Sequence, residues 1–468
     1  MEKVYVKKLA APHQSESFTE YLPLNDALKA DITAAVKEIF DAAGGASMLK
    51  SSKDVYIKPN GIDAKAYCYT RTEVVEAVIS YWFNAGAKHV YLFENSTQSN
   101  FTRMVFFING YTEVCKRTGA IPIYLDEQKN TVLSFKGKPS ENENPDGYMK
   151  TSFEFPVIVQ EKLIDRGDEN LYISLPKLKT HSMSLVTLGV KNQWAFPRQR
   201  DRGYDHNWNL HHKLTDVLSY IRPDFTLIEG IEGTTYGHYP MLSHADKCIV
   251  PFKLLIGSKN VVAADIVGAR IFGLNAEEVP HLKIAIDRDL SQGVTGLADI
   301  EIEGNVNLDD YTTTYPTDLY DAFPGDVNVI RGTERLCREG CLNNPLTLLQ
   351  VIYNDFGGTG GWDMVIGKGH DPEVIDNIKG PVLIAGHCAV NEVGERLIKR
   401  LGKKNVYISG KCNDLTATGA AMFHLMHVDP MEFAPIPLYK SVTLLLQAKL
   451  HGTKAVVPSF LAHKIKTV

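Results

Sequence analysis

Apolar residues along this chain form two patterns, short continuous runs and longer stretches in which they recur every three or four positions. The first helical stretch is Leu24–Ala43, which ends at Gly44-Gly45. The run Val55–Lys58 then reads as a strand, and Arg71–Ala85 reads as an amphipathic helix. Strands and helices that alternate in this way predict parallel sheets whose strands are joined by crossover helices.

The same alternation continues through the rest of the chain. Further elements are predicted at His89–Phe93, Thr102–Thr118, Ile121–Leu125, Leu171–Leu175, Phe225–Glu229, Lys253–Ile256 and Val261–Phe272. The polar segment 128–150 reads as a hairpin or a surface excursion, and 294–325 reads as a connector. After the connector, elements are predicted at Val327–Ile330, Pro345–Tyr353, Met364–Ile366, Val382–Ala385, Val390–Leu401, Val406–Ser409, Asn413–His427 and Leu438–Leu450.

These patterns predict an α/β protein with mostly parallel sheets, divided into more than one domain because 468 residues exceed one ordinary core. We expect an amino-terminal region, 1–325, with lobes at about 1–150 and 151–325. A smaller α/β domain at 326–430 carries four cysteines, and a helical tail follows at 431–468. The tail helix has a short apolar face, so it is interpreted as a docking element rather than a membrane anchor.

Composition narrows the class of protein. Apolar residues make up 44% and charged residues 22% of the chain, as in globular proteins with large cores. The net charge of -5 disfavours nucleic acid as a partner. The chain starts without a signal-peptide pattern and contains no run of about 18 apolar residues, so we expect a cytoplasmic protein with no membrane partner. Seven cysteines in such a chain indicate thiols or metal ligands rather than disulfides.

The most informative stretch is Leu171–Pro197. Its apolar run ends at Pro176 and is followed by Lys177, Lys179 and His181, and a further cation lies at Lys191. In open α/β sheets, ligands bind at the carboxyl ends of strands, where ammonium groups suit a carboxylate or a phosphate. We therefore expect an anchored loop that binds a small anionic substrate. A solvated loop without a special role is the alternative.

An ordered series of short motifs extends this interpretation. The series is Lys58-Pro59-Asn60, Lys179-Thr180-His181, Lys191-Asn192, His211, Pro223-Asp224, Glu229-Gly230 and Ala264-Asp265. It resembles the uncharacterised family known as domain of unknown function 362, over roughly residues 50 to 290. The resemblance implies an α/β fold and, in several members, an attached iron–sulfur module, but no agreed reaction. This sequence departs from the family pattern at two places. Glu229 replaces the usual aspartate, and the segment 234–240 lacks the family's Gly-rich acidic stretch. The role of an acidic residue is therefore not assigned to Tyr236.

Four cysteines are placed as metal ligands would be. Cys388 and Cys412 each follow a predicted strand and open a predicted helix, and Cys337 and Cys341 precede another helix. Helix amino termini stabilise thiolates, and neighbouring strands bring their loops to one sheet edge. The pattern favours a [4Fe–4S] cluster, because ligands so far apart in sequence suit a cluster better than zinc. The alternatives are a zinc site and cysteines that bind no metal.

Two classes of function follow. The first is an iron–sulfur enzyme, a reductase or a lyase, in which His181, Lys179 and Glu229 are catalytic and an oxidoreductase is favoured. Its predicted substrate-binding residues are Lys58, Asn60, Lys177, Lys191, Asn192, His211 and Asp265. The second is a non-catalytic iron–sulfur or metal-binding carrier or assembly protein. The partners considered are a ferredoxin-type electron donor and a second copy of the chain in a homo-oligomer. A nickel or zinc site formed by the histidines at 181, 206, 211 and 212 is a weaker alternative.

Overall fold

The computed structural model describes residues 1–96, 101–134, 152–199, 202, 206–412 and 414–455. Its strands are β1 Glu2–Lys8, β2 Asp54–Pro59, β3 His89–Glu94, β4 Ile121–Tyr124, β5 Asn130–Ser134, β6 Ser152–Pro156, β7 Leu171–Leu175, β8 Lys177–His181, β9 Leu185–Thr187, β10 Phe225–Thr234, β11 Ile249–Val250, β12 Leu254–Ser258, β13 Ile300–Gly304, β14 Val327–Arg331, β15 Trp362–Ile366, β16 Val382–Ala385 and β17 Val406–Ser409.

The α-helices in the described ranges lie between these strands and after the last of them. They are α1 Asp26–Ala42, α2 Thr72–Asn84, α3 Thr102–Ile108, α4 Tyr111–Thr118, α5 Val157–Val159, α6 Gly189–Asn192, α7 Leu210–Tyr220, α8 Ala245–Cys248, α9 Val261–Ile271, α10 Pro280–Asp287, α11 Asn343–Phe356, α12 Pro372–Asn377, α13 His387–Leu401, α14 Leu415–Leu425 and α15 Leu438–Leu450.

A large, mostly parallel sheet and a small, wholly parallel sheet confirm the predicted α/β class. The large sheet has the order β13-β1-β12-β10-β7-β2-β3-β4, with β11 and β8 paired to β10 and with β9 paired to β8. Most of its pairs are parallel, although β12 runs antiparallel to both β1 and β10. The small sheet in the carboxy-terminal region has the order β14-β15-β16-β17, and all its pairs are parallel.

Helices cover both faces of the large sheet. Helices α1 and α2 bury residues such as Ile39 and Trp82 on one face, while the almost wholly apolar α9 packs on the other. In the small sheet, α11 and α14 pack on one face and α13 on the other. Strands covered on both faces read as continuous apolar runs, which is why the sequence pattern located them.

Three elements differ from the sequence prediction. The predicted helix 102–118 is two helices, because the chain turns at Gly110, whose φ of 80° lies in the left-handed region. The strand predicted to end at Glu229 continues to Thr234, so Glu229 lies in its middle. The predicted loop after Pro176 is the strand β8. Of the predicted hairpin or excursion at 128–150, residues 130–134 pair with β6, and 135–150 lie outside the described residues.

Candidate active site

Strand β8 places three basic side chains on one side of the large sheet. Lys177, Lys179 and His181 are two residues apart, and side chains at that spacing share one face of a strand. Leu178 between them packs into the core beneath the opposite face. The strand pairs with β10 at Lys177 and with β9 at His181. Because it is paired on both sides, this cation-rich segment is buried in the sheet and does not form an exposed loop.

Lys177 is neutralised by carboxylates. Its Nζ lies 2.9 and 2.8 Å from the two Glu229 oxygens and 3.5 Å from Glu232 Oε2. Glu232 also accepts hydrogen bonds from the guanidinium of Arg71 and, at 2.9 Å, from His13 Nε2. Two carboxylates therefore balance two fixed cations inside the protein. Burial raises the pKa of Glu229, whereas Arg71 and Lys177 hold the pKa of Glu232 well below its ordinary value despite its burial.

Lys58 is also paired, but it belongs to a network that reaches Lys179. Its Nζ donates to Glu94 at 3.0 Å and to Asn192 Oδ1 at 3.1 Å. Asn60 Nδ2 donates to the same Asn192 oxygen at 3.5 Å. Asn60 Oδ1 in turn accepts from Lys179 Nζ at 2.8 Å. Four residues predicted to bind substrate or catalyse thus form one buried chain of hydrogen bonds.

Lys179 differs from the two paired lysines. Its ammonium group donates to Asn60 Oδ1 and, at 2.6 Å, to the Cys68 carbonyl oxygen. Within the described parts of the chain, no carboxylate forms an ion pair with it. Burial lowers its pKa to about 8, so the side chain is charged at neutral pH. It supplies a cation that no neighbouring carboxylate neutralises.

Lys191 and His181 form a buried pair with a defined protonation state. Lys191 Nζ lies 2.8 Å from His181 Nε2, and the backbone N–H of Met183 donates to His181 Nδ1 at 3.1 Å. Because Nδ1 accepts, a neutral His181 carries its hydrogen on Nε2, which faces Lys191. Only an uncharged amine can accept that hydrogen. This arrangement suits a neutral Lys191.

The surroundings of this pair favour the same state. Burial lowers the pKa of Lys191 well below its ordinary value, and the positive charges of Lys179 and Arg202 lower it further. Burial likewise lowers the pKa of His181 well below its ordinary value. Among the described residues, no carboxylate contacts either side chain. A neutral amine of this kind is a nucleophile at neutral pH.

Two further histidines stack beside His181. The ring of His238 is parallel to that of His181, with centroids 3.8 Å apart, and the ring of His206 lies 5.6 Å away. Burial lowers the pKa of both rings well below the ordinary value. His238 lies in the segment that departs from the family pattern, and sequence reasoning gave it no role. Its separation in sequence from His181 leaves no local signal of the contact.

These side chains line a cavity of about 440 Å³ between the large sheet and the carboxy-terminal region. His181, Lys191, His206, His238 and Arg202 form its polar end. The opposite wall is apolar and comes from α11, α14 and the segment 431–441, with Leu348, Phe423 and Phe433 among its residues. Sequence reasoning treated the two regions separately, so it did not predict that the carboxy-terminal region would close the site.

Two polar atoms of the cavity residues lack a hydrogen-bond partner in the described structure. They are His238 Nδ1 and the indole Nε1 of Trp194, and both are buried. A buried polar atom without a partner costs about 1–3 kcal/mol. Among the described residues, the groups that accept from nearby Arg202 are backbone carbonyls, including Asn95 at 2.7 Å and Ala195 at 3.0 Å. A polar or anionic group of a bound molecule would satisfy these atoms.

Two of the predicted substrate-binding residues lie behind the site. Asp265 accepts from the backbone N–H groups of Gly189 at 2.6 Å and Val190 at 2.8 Å, and so fixes the start of α6, which carries Lys191. Burial raises the pKa of Asp265 to about 7, although both N–H groups favour the ionised form. His211 lies against His281, with 3.3 Å between their Nδ1 atoms. These positions suit residues that support the site.

The four cysteines follow strands of the small sheet. Cys388 lies in the first turn of α13 after β16, and Cys412 follows β17, while Cys337 and Cys341 come after β14. Burial raises the pKa of Cys337 to about 12, and the three other thiols add to the effect, so all four lie within electrostatic range of one another.

The described structure contains no ready-made metal-binding group at these residues. Among the described residues, no three His, Cys, Asp or Glu side chains group closely enough to hold a metal ion. Burial raises the pKa of Cys341 to about 11, which favours the protonated thiol over the thiolate that a metal needs. The predicted cluster therefore stays a prediction, and no chemical step is derived through it.

The cysteine loop nevertheless contacts the histidines. The carbonyl oxygen of Glu339, between Cys337 and Cys341, lies 3.1 Å from His206 Nδ1. The Glu339 carboxylate lies 3.8 Å from His211 Nε2. Arg338 in the same loop donates to the Ser182 carbonyl at 2.8 Å, next to His181. The cysteine loop and the histidines of the cavity, which were predicted as separate sites, are thus in direct contact.

Comparisons with known proteins agree with the motif series. Residues 55–270 match the family described as Domain of unknown function (DUF362). The chain is 28% identical over 262 residues to the thylakoid-associated protein sll1697 of Synechocystis sp., covering 54% of this chain and 73% of that protein. A crystal structure of a Thermotoga maritima protein aligns with 88% of this chain and 85% of its own chain, with 11% identity and a TM-score of 0.35.

No helix in the described ranges is long and apolar enough to cross a membrane.

Proposed function

We propose a reaction from the site itself, because residues 55–270 match the DUF362 family and that family has no assigned reaction. The protein is an enzyme that binds a small anionic carbonyl compound in the cavity and forms an imine with it through Lys191. The observation that carries this proposal is the 2.8 Å contact between neutral Lys191 and the Nε2 hydrogen of His181. Buried neutral lysines are the residues that form imines with carbonyl substrates.

The chemistry balances with the residues present. The Lys191 nitrogen attacks the carbonyl carbon, and the carbon–oxygen double bond opens to a carbinolamine. The amine then loses two protons in total, the carbonyl oxygen gains both and leaves as water, and a carbon–nitrogen double bond remains. His181 lies within hydrogen-bond distance of the reacting nitrogen, so it can pass protons between nitrogen and oxygen. No oxidant or reductant is needed for this step.

The positive charges of the site attract the anionic group of the substrate. Lys179 and Arg202 have no carboxylate partner among the described residues, while Lys58 and Lys177 pair with Glu94 and Glu229. We therefore assign structural roles to the paired residues and binding of the anionic group to Arg202, which lines the cavity. Lys179 does not line the cavity, but it lies within electrostatic range of His181 and adds its positive charge there. The apolar wall suits a substrate with a hydrocarbon or aromatic body.

Reductive trapping tests this proposal. Phenylpyruvate, a 2-oxo acid with an aromatic body, serves as the probe, and cyanoborohydride reduces any imine to a stable adduct. We expect one adduct per chain at neutral pH, located on Lys191 by peptide mapping. Lys191→Met should remove it, and Lys399→Met, at an exposed lysine, should leave it unchanged. Adducts confined to other lysines of the wild-type protein would refute the proposal, whether or not the variant folds.

A second proposal is the iron–sulfur site, with zinc as the alternative metal. It is supported by the fold, because Cys388 and Cys412 follow the paired strands β16 and β17. The Cys341 side chain lies close to Gly386 just after β16, where a Cβ would be 3.9 Å from its Sγ. Such a site would make the protein an iron–sulfur oxidoreductase with a ferredoxin-type donor, or a non-catalytic carrier. Iron and sulfide content after purification without oxygen tests it, with Cys115→Ser as the control and Cys388→Ser as the test variant. Wild-type protein that holds neither metal would refute it.

The compartment proposed is the cytoplasm. Cysteines that form no disulfide support a reducing compartment. The relative from Synechocystis sp. is called thylakoid-associated, which is compatible with a cytoplasmic protein that contacts a membrane surface. Fractionation of cells into soluble and membrane-bound protein, before and after a salt wash, tests this location.

A further inference from the structure

Helix α15 leaves an apolar face without a partner in the described structure. Its residues Leu444, Leu445 and Ala448 pack on Phe101 and Met104 of the α3 region. Turned away from that contact lie Leu438, Tyr439, Val442, Leu446 and Leu450, which we call the outer stripe. Tyr439 is 68% exposed and Leu450 is 87% exposed. The helix is therefore apolar on two sides, and only one of them packs against the described part of the chain.

The spacing of the outer stripe produces a continuous surface. Leu438, Val442, Leu446 and Leu450 recur at every fourth position, so they form a ridge along one side of the helix. Phe107 and Met431, which are also large exposed apolar residues, come from the neighbouring segments. Scattered exposed apolar residues need no explanation, but a contiguous patch on one helix marks an interaction surface.

The charge around the outer stripe indicates what covers it. From Phe433 to Ala455 the chain contains three lysines, at 440, 449 and 454, and no aspartate or glutamate. The whole chain carries a net charge of -5, so this segment is opposite in sign to the rest. An amphipathic helix with lysines beside leucine and tyrosine is typical of helices that lie in the interface of an anionic bilayer.

We propose that the outer stripe of α15 docks the protein on the surface of an anionic membrane. The leucines and Val442 enter the boundary between headgroups and acyl chains, Tyr439 lies at the headgroup level, and Lys440 and Lys449 contact lipid phosphates. This docking lies parallel to the bilayer and needs no spanning helix. It extends the sequence-based interpretation of this helix as a docking element. It differs from the expectation of no membrane partner, which rested on the absence of a signal-peptide pattern and of a long apolar run.

The position of the helix connects this surface to the cavity. Leu438 belongs both to the outer stripe and to the cavity wall, and Met431 and Ser441 also line the cavity. Membrane docking would therefore bring the apolar wall of the cavity to the lipid surface. A substrate with a hydrocarbon body could pass from the bilayer into the cavity without crossing open water. The docking itself does not depend on which reaction the cavity performs.

Vesicle flotation tests the proposal with the full-length protein. Vesicles of phosphatidylcholine alone are compared with vesicles that also contain phosphatidylglycerol, at low and at high salt. We expect binding to the anionic vesicles only, weakened by salt because the lysine contribution is screened. Val442→Glu should reduce the bound fraction at least about tenfold, since it places a charge in the apolar face. Val374→Glu, at a similarly exposed valine of α12, should bind as the wild type does.

Other occupants of the stripe give different results. Absence of binding to both kinds of vesicle would overturn the proposal. So would concentration-dependent dimerisation in sedimentation velocity that Val442→Glu abolishes, if no vesicle binding accompanies it. Equal loss of binding in Val442→Glu and Val374→Glu would also overturn it, because the effect would then be one of net charge. Imine trapping on Lys191 is measured in the same variants, so failure of docking and failure of the proposed reaction remain distinguishable.

Discussion

Lys177 and Lys179 are two positions apart on one strand, yet only Lys177 meets carboxylates. The side chain of Glu229 comes from the opposite position on β10, which pairs with Lys177. Lys179 meets an amide and a carbonyl oxygen instead, so its positive charge stays available to a bound anion. The same sequence signal, a lysine after a strand, therefore has two different physical roles.

This difference predicts a pH dependence. Burial lowers the pKa of Lys179 to about 8, so the charged form is present below that pH and is lost as the pH rises through it. Binding of phenylpyruvate, measured by calorimetry, should weaken as the pH rises from about 7 to about 9. Lys179→Met should weaken binding at neutral pH by about tenfold, because it removes a positive charge close to the site.

The matched control for this experiment is Lys399→Met, at an exposed lysine. It should leave both the affinity and the pH profile unchanged. If Lys179→Met keeps the wild-type pH profile, the titrating group is a different one and Lys179 does not contribute to binding of the anion.

At this scale the sequence singled out candidate residues but not their partners. The motif series pointed to Lys58, Lys179, Lys191 and His181, and the structure brings them into connected networks. It could not show that Glu94 neutralises Lys58, because the two residues lie on neighbouring strands 36 positions apart. Nor could it show the contact of His181 with His238, which depends on the course of a loop.

Among the elements, the four-residue helix α6 has the greatest effect on the site. It carries Lys191, and its first N–H groups bind Asp265 on the neighbouring helix α9. Gly189 starts α6 where a Cβ would lie 2.7 Å from Val261 Cγ2 and 2.8 Å from Asp265 Oδ1. The close approach of the two helices therefore requires glycine at this position.

Gly189→Ala should consequently displace α6. We expect a loss of about 1–3 kcal/mol in the free energy of unfolding, the usual effect of overpacking, and loss of imine trapping on Lys191. Urea denaturation and mass spectrometry measure the two effects. Gly410→Ala is the control, because a Cβ there meets only Ile408 Cγ2 at an ordinary 3.6 Å. Normal trapping in Gly189→Ala would show that the position of α6 does not set the reactivity of Lys191.

The bounds of elements with a single hydrophobic pattern were predicted accurately. Elements that mix apolar and charged residues were not. Strands β16 and β17 and helix α15 have the predicted bounds, because each is a simple apolar run or amphipathic repeat. Strand β8 was taken for a loop because a proline precedes it and three of its residues are basic. Its burial depends on carboxylates and amides contributed by distant strands, which no local pattern contains.

On the scale of the whole molecule, the cavity exists because the carboxy-terminal region packs over the large sheet. One tie between them is the ion pair of Lys65 with Asp355, 2.8 Å apart and nearly buried. Asp355 also accepts from the backbone N–H groups of Leu242 and Ser243 at 3.1 Å each. Burial alone would raise the pKa of this carboxyl, but Lys65 and the N–H donors outweigh it and lower the pKa.

Asp355→Ala should therefore loosen the cover of the cavity. Removing one partner of a buried pair leaves Lys65 uncompensated, and the expected loss is about 3 kcal/mol in the free energy of unfolding. Asp376→Ala breaks the exposed pair with Arg396 and should cost less than about 1 kcal/mol. Urea denaturation of the two variants measures the difference, and equal losses would show that the Lys65–Asp355 tie contributes no more than a surface pair.

The same substitution should change the chemistry of a residue that it does not touch. Lys191 is neutral because it is buried, and water that enters a loosened cavity would raise its pKa toward the ordinary value. In Asp355→Ala, trapping of phenylpyruvate on Lys191 should therefore fall at pH 7 and recover as the pH rises, since the neutral amine returns above its pKa. Asp376→Ala should keep the wild-type profile. Unchanged trapping at pH 7 in a measurably destabilised Asp355→Ala protein would mean that the large sheet alone keeps Lys191 neutral.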